Sequence, residues 1–178
     1  MLGADNQQGS SDRDLCNYIA GFVDGEGSFH VAIQRSAFVS LGWQVIPEFH
    51  VSQHESSRNV LELIQRVLGC GNLKPNHRHN PKDKTWVLVV RSRKDLLNKV
   101  IPFFEKFKLR TVKRANFEKF AEIVREMTVG AHLESAGLVK ILERAFSMNA
   151  NGSYRKINLA NIIKDLNPSE TVRRIANI

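Results

Sequence analysis

An apolar helical segment that runs into two glycines bracketing an acid limits what this chain can fold into more than any other feature of it. From Leu15 to Val23 the apolar residues Leu15, Ile19, Phe22 and Val23 fall at helical spacing, and Ser11 and Asp12 stand in front as N-cap residues. The spacing predicts that the helix stops at Gly25 and Gly27. Ala20, Gly21 and Gly25 are small, and Gly21 and Gly25 lie one turn apart, so one helix face lacks bulk and lets a second backbone approach closely. Asp24 and Glu26 then fall at the negative end of the helix dipole, where an anion is disfavoured without a compensating cation. A divalent metal meets that need. On spacing alone, a glycine-capped helix with a solvated Glu26 fits as well.

Downstream the period changes. Phe29, Val31 and Ile33 alternate with His30, Ala32 and Gln34, and a second strand at about Trp43 to Val51 sets Trp43, Val45, Phe49 and Val51 opposite Gln44, Ile46, Glu48 and His50. Ser56 or Ser57 caps a helix striped by Val60, Leu61, Ile64, Val67 and Leu68 and closed by Gly69. Leu73 to Arg78 and Thr85 to Arg91 then flank the turn signal Asn80-Pro81-Lys82-Asp83. Ser92 opens a helix bent or restarted at Pro102, and another runs from about Val112 to Met127 until Gly130. Ser135 caps a helix through Met148, Asn149 to Arg155 forms a basic-tipped loop, and short helices near Leu159 to Leu166 and Glu170 to Ile175 finish the chain.

The expected class is α+β, with an αββαββα core whose helices cover one face of a four-stranded antiparallel sheet. Residues 1–11 read as a flexible leader, 12–128 as the core and 129–178 as a C-terminal helical extension of the same domain. The second sheet face is left open. Parity places His30, Ala32, Gln34, Ser36, Gln44, Ile46, Glu48, His50, Lys74, Asn76, Arg78 and Thr85 on it. Such side chains suit base edges in a major groove, which admits an antiparallel ribbon. A merely solvated face is polar too, and composition does not separate the two.

Charge narrows the partner. The chain has 26 Lys and Arg against 18 Asp and Glu, a net charge of +8, and a pI near 9.8. Such an excess favours a polyanion, and nucleic acid is the economical one. A membrane is not expected, because no run approaches the ~20 apolar residues of a spanning helix and no basic amphipathic terminus stands out. Cys16 and Cys70 lack a ligand pattern and read as reduced, buried thiols, and no signal peptide precedes them, which points to an intracellular, reducing compartment.

The string Ile19-Ala20-Gly21-Phe22-Val23-Asp24-Gly25-Glu26-Gly27 resembles the signature of the LAGLIDADG homing endonucleases. Gly42 to Gln53 and Ile101 to Lys106 resemble single-motif members of that family, the likeness covers roughly residues 14–128, and Ser169 to Arg173 resembles their C-terminal segments more weakly. The resemblance implies a saddle-like sheet that reads double-stranded DNA through the open face, and Mg2+-dependent hydrolysis of both strands. It implies that Glu26 holds metal with the Gly25 carbonyl, that Gln53 orients solvent, and that Asp24 caps or packs. A basic residue before or at the start of the helix after the second hairpin is also implied; Lys108, Arg110 and Lys113 share that window, the Leu109-x-x-x-Lys113 spacing favours Lys113, and phosphate contact suits all three equally.

Because the motif occurs once, cutting both strands requires either two chains or two successive events; the small-residue helix face suits the first, a homodimer packed through Ala20, Gly21, Asp24 and Gly25 on a roughly palindromic target. Two further readings share the fold: a maturase whose partner is intron RNA, and a catalytically silent DNA-binding regulator.

Overall fold

The computed structural model describes residues 4–77, 80, 82–149 and 155–166, with side chains from residue 11 onward at the N-terminal end. Helix α1 spans Ala4–Glu26, so the expected leader is helical from Ala4 and Ser11 and Asp12 lie inside the helix instead of capping it. Ala4, Gln7 and Gln8 are good helix formers, no proline follows before Leu15, and a single Gly9 costs only ~1 kcal/mol, too little to stop propagation of a helix anchored downstream. Its other end falls at Glu26, between the two glycines.

Strands β1 (Gly27–Arg35), β2 (Trp43–His54), β3 (Asn72–Pro75) and β4 (Thr85–Val90) form one antiparallel sheet in the order β1-β2-β4-β3. Gly27 pairs with Val51 and Arg35 with Trp43, while His50 pairs with Val89 and Val51 with Leu88. Phe29, Val31, Trp43, Val45, Phe49, Val51, Leu88 and Val90 therefore share the inner face, and all are buried. Phe29 sits at the centre, its ring 5.1 to 5.5 Å from those of Phe49, Phe104, Phe117 and Phe120.

The covering helices are α2 (Arg58–Leu68), a helical run from Arg93 to Lys106, and α5 (Lys113–Thr128). His54 accepts from the Ser56 N–H at the turn before α2, and Gly69 ends α2 in the left-handed region at φ 63°. The run from Arg93 starts as α3 (Arg93–Asp95), widens to a π-helical turn over Leu96–Val100, and resumes as α4 (Ile101–Lys106). Pro102 accounts for that widening. It lacks an N–H, and in an α-helix its ring would crowd the Asn98 carbonyl.

Strand β3 ends at Pro75 instead of reaching Arg78, because proline cannot donate to a ladder and is tolerated only at an edge; Arg78 lies outside the described residues. Helix α6 (Ser135–Phe146) begins with Ser135 and ends before Met148, and α7 (Leu159–Leu166) packs on it through the buried Ile162 and Leu166. Residues 170–175, expected to be helical, lie outside the described residues. From the segment between α6 and α7, Asn149 donates to the Phe29 carbonyl at 3.0 Å and Arg155 to the Val31 carbonyl at 2.8 Å, which covers the edge strand β1. Arg155 is thus a half-buried clasp and not a basic loop tip. Cys16 and Cys70 are half-buried instead of fully buried. Among the described residues no helix is long and apolar enough to cross a membrane.

Candidate functional site

The junction of α1 and β1 is built by close approach. A Cβ on Gly27 would lie 2.5 Å from Val23 Cγ1 and 2.8 Å from the Val23 carbonyl oxygen, so only glycine lets the strand leave the helix this tightly. Glu26 is thereby held as an exposed last residue of the helix, at one end of the sheet. Asp24 turns the other way. It accepts from the N–H of Arg110 at 2.8 Å, the N–H of Thr111 at 3.1 Å and the Thr111 hydroxyl at 2.6 Å. Burial pushes its carboxyl up, but those hydrogen bonds and Lys113 outweigh burial and hold it below the usual carboxylate range. The two acids of the motif therefore have separate surroundings, one tied into the fold and one free at the surface.

Lys113, the first residue of α5, extends Nζ to the carbonyls of Val23 and Gly25, 3.1 Å from each. It places a cation against the unpaired carbonyls of α1. Burial holds its ammonium below the ordinary lysine range, with Asp24 and Glu26 pulling the other way. The rival cations lie elsewhere. Arg110 contributes its backbone N–H to Asp24, and Lys108 lines a groove of about 350 Å³ with Glu105, Arg114 and Glu118. Gln53 continues β2 past Val51, the residue opposite Gly27, so the register puts it at the end of the sheet where α1 delivers Glu26. Among the described residues no three His, Cys, Asp or Glu side chains cluster as metal ligands. A metal at Glu26 would take further oxygens from the Gly25 carbonyl, solvent or a ligand. Those are hard donors that suit magnesium.

On the outer surface of α1, Gly21 and Gly25 are exposed, and a Cβ at either would meet nothing within 4 Å; Tyr18 beside them is 52% exposed. Ala20 does not belong to that surface. It is 5% exposed and faces the chain's own core, on the helix side it shares with the buried Ile19 and Val23.

The open face of the sheet is ordered in rows set by register. Outermost, Gln34 donates to Gln44 at 3.0 Å, followed inward by Ala32 beside Ile46 and then His30, Glu48 and Arg91. Next come Ser28, His50, Val89 and Asn72, then Ser52, Val87 and Lys74 beside the junction, and past it Thr85 opposite His54. Ser36 lies past the end of β1, its hydroxyl accepting from the Phe38 N–H, and Asn76 lies past β3.

Glu48, placed on the open face by parity, is not exposed there. It is 5% exposed, in contact with Arg91 Nε through one oxygen and 2.9 Å from His50 Nε2 through the other. A buried carboxylate needs a cationic partner, and the strand end supplied one. Burial lowers the pKa of His50 despite Glu48, and burial, Arg155 and His50 lower that of His30. Sequence reading also missed Val87, Val89 and Arg91 on this face. Carrying the parity of Thr85 along β4 finds all three.

The family model for the LAGLIDADG endonucleases matches residues 19–124. The homing endonuclease I-ApeII of Aeropyrum pernix is 30% identical over 155 residues, which is 84% of this chain and 89% of that protein. A probable intron-encoded endonuclease 3 of Neurospora crassa is 34% identical over 131 residues, and the chain spans about a quarter of its length, 24%. Among solved structures, the archaeal intron-encoded homing endonuclease I-Vdi141I in complex with DNA superposes with a TM-score of 0.78 at 31% identity, covering 88% of this chain and 96% of that one.

Proposed function

The chain belongs to the LAGLIDADG endonuclease family, and from that premise we propose that it is a homodimeric, site-specific double-strand DNA endonuclease cutting a long, roughly palindromic target. The observation that carries this reading is the convergence at the α1–β1 junction: an exposed Glu26, the Gly25 carbonyl, the Lys113 ammonium on that carbonyl, and Gln53 at the adjoining strand end. Glu26 and the Gly25 carbonyl would hold magnesium, which when bound supplies charge compensation and a more acidic water for phosphodiester hydrolysis. Gln53 orients solvent through its amide. Lys113 offers a fixed positive charge to the phosphate, already held in place by two carbonyls. Two copies meeting along Gly21 and Gly25 about a two-fold axis would bring one such junction to each strand. The net charge of +8 favours the DNA, and the sheet face supplies polar side chains for base edges. The thiols fit a reducing compartment; burial pushes Cys70 up to about 11, so it stays protonated and inert.

The test is to incubate the protein with duplex DNA carrying the uninterrupted host-gene junction. Cleavage of both strands in magnesium and binding without cleavage in calcium are expected, with the protein sedimenting as a dimer. Gly21→Val should convert it to monomer, since a branched side chain then stands where two backbones meet. A protein that stays monomeric both free and on uncut target overturns the dimeric reading.

A further inference from the structure

Glu48 is the one buried charged or polar side chain among the described core residues, and it lies on the face of the sheet turned away from that core. Carboxylates are seldom placed there without a partner, because burial in a low-dielectric setting disfavours the charge. Arg91 provides the partner through Nε, yet its own side chain remains 59% exposed. The pairing is dictated by register, since the β2–β4 ladder carries Phe49 against Val90 and so sets 48 against 91. His30 closes the row on the other side of Glu48, and Val89, two residues before Arg91 and on the face that Arg91 continues past the end of β4, is 6% exposed.

We propose that Arg91, positioned by Glu48, is the chain's guanine-reading residue, one for each half of the target. This rests on the reading of the sheet face as a DNA-binding surface. A guanidinium has five N–H donors in a rigid fork, and Glu48 occupies the Nε end. The two terminal amino groups are left for a second, parallel pair of bonds, and the major-groove edge that offers two acceptors to such a fork is guanine, through O6 and N7. An arginine already fixed at one edge loses less freedom when it binds, which sharpens discrimination. Glu48 itself, satisfied and buried, reads nothing; it is a positioning residue. The row order puts the affected base pair in the middle of each half-site, inward of the pair met by Gln34 and Gln44 and outward of those met by Lys74 and Thr85.

The experiment is a binding selection by the full-length protein in calcium, from synthetic duplexes in which a palindromic target is randomised, followed by sequencing. The wild type should show a guanine preference at one interior position of each half-site. Arg91→Ala should cut that preference by about tenfold or more and leave the other positions as they were. Arg91→Lys should restore binding strength without restoring the preference, because an ammonium is not a fork. Glu48→Gln keeps the shape and removes the charge, and it should weaken the same single position. Thermal melting of each variant shows that it is folded. Folded variants whose profile equals the wild type's overturn the assignment, and so does a uniform loss at all positions, which would mark Arg91 as a phosphate contact or the pair as a strand clip. If the wild type enriches no sequence at all, the DNA-binding reading falls and this inference falls with it.

Discussion

The α1–β1 junction and the open sheet face differ in how their polar groups are held. At the junction the groups that matter are backbone carbonyls and one exposed acid, fixed by a glycine that permits no side chain, and a lysine spans two carbonyls to complete it. On the sheet face they are side chains on a ladder, and their partners are one another: Gln34 with Gln44, Glu48 with Arg91. A backbone site tolerates no substitution of its frame, whereas a side-chain face can change one row at a time. Chemistry carried by the backbone frame can therefore stay fixed while the surface it serves is changed.

The strongest way to break that contrast is at Glu26. Glu26→Gln keeps the volume and removes the charge, so cleavage should fall by roughly 10³-fold or more, since charge stabilisation of this kind is worth several kcal/mol. Binding to the same DNA in calcium should hardly change. The measurement is a single-turnover rate beside a binding isotherm. A variant that cuts at the wild-type rate shows that the junction is a helix cap and nothing more.

The next effect is at Lys113 and concerns pH. Because burial lowers its pKa, the positive charge is lost as pH rises through a value below the usual ~10.4 of lysine. Cleavage should therefore decline on the alkaline side earlier than an ordinary lysine would allow. Lys113→Arg should carry the decline to higher pH, because guanidinium keeps its proton. For stability the sign is opposite: the unfolded chain holds that proton more tightly, so lowering the pH through the folded value removes stability. An alkaline limb that is the same in wild type and Lys113→Arg rules out Lys113 as its source.

How far the sequence could be read follows the same contrast. The junction lies in a contiguous motif, so Glu26, Gly25 and Asp24 are legible from neighbouring letters, and the alternation of β1 and β2 gives the sheet face. For Lys113 the Leu109-x-x-x-Lys113 spacing gave a preference over Lys108 and Arg110, but its reach to the Val23 and Gly25 carbonyls depends on how α5 packs against the end of α1, which no local pattern carries. Parity gave Glu48 its face and said nothing of its burial; its partner Arg91 stands 43 residues on and meets it only through the ladder register. Ala20 fails for a related reason. Small residues mark an approachable face only when they point outward, and Ala20, on the helix side it shares with Ile19 and Val23, does not.

The smallest effect belongs to the outermost row. Gln34 and Gln44 are hydrogen-bonded to each other at 3.0 Å and exposed, so neither supports the core, and removing one should change stability by no more than ~0.5 kcal/mol. The pair nevertheless constrains itself: with Gln34 donating to Gln44, one amide hydrogen and one carbonyl are committed, and each side chain keeps a reduced set of donors and acceptors for a base edge. Gln34→Ala should therefore free Gln44 as well as remove a reader. Preference at one outer base pair of each half-site should weaken by a few-fold, and Gln44→Ala should affect that same base pair and not a second one, because the two residues act as one unit. The double variant should then be no worse than the more severe single one. A cleavage profile over single-base variants of the target decides it. If the two single variants alter different positions, and the double variant shows the sum, the row is a pair of independent contacts and the side-chain face is built residue by residue instead of row by row.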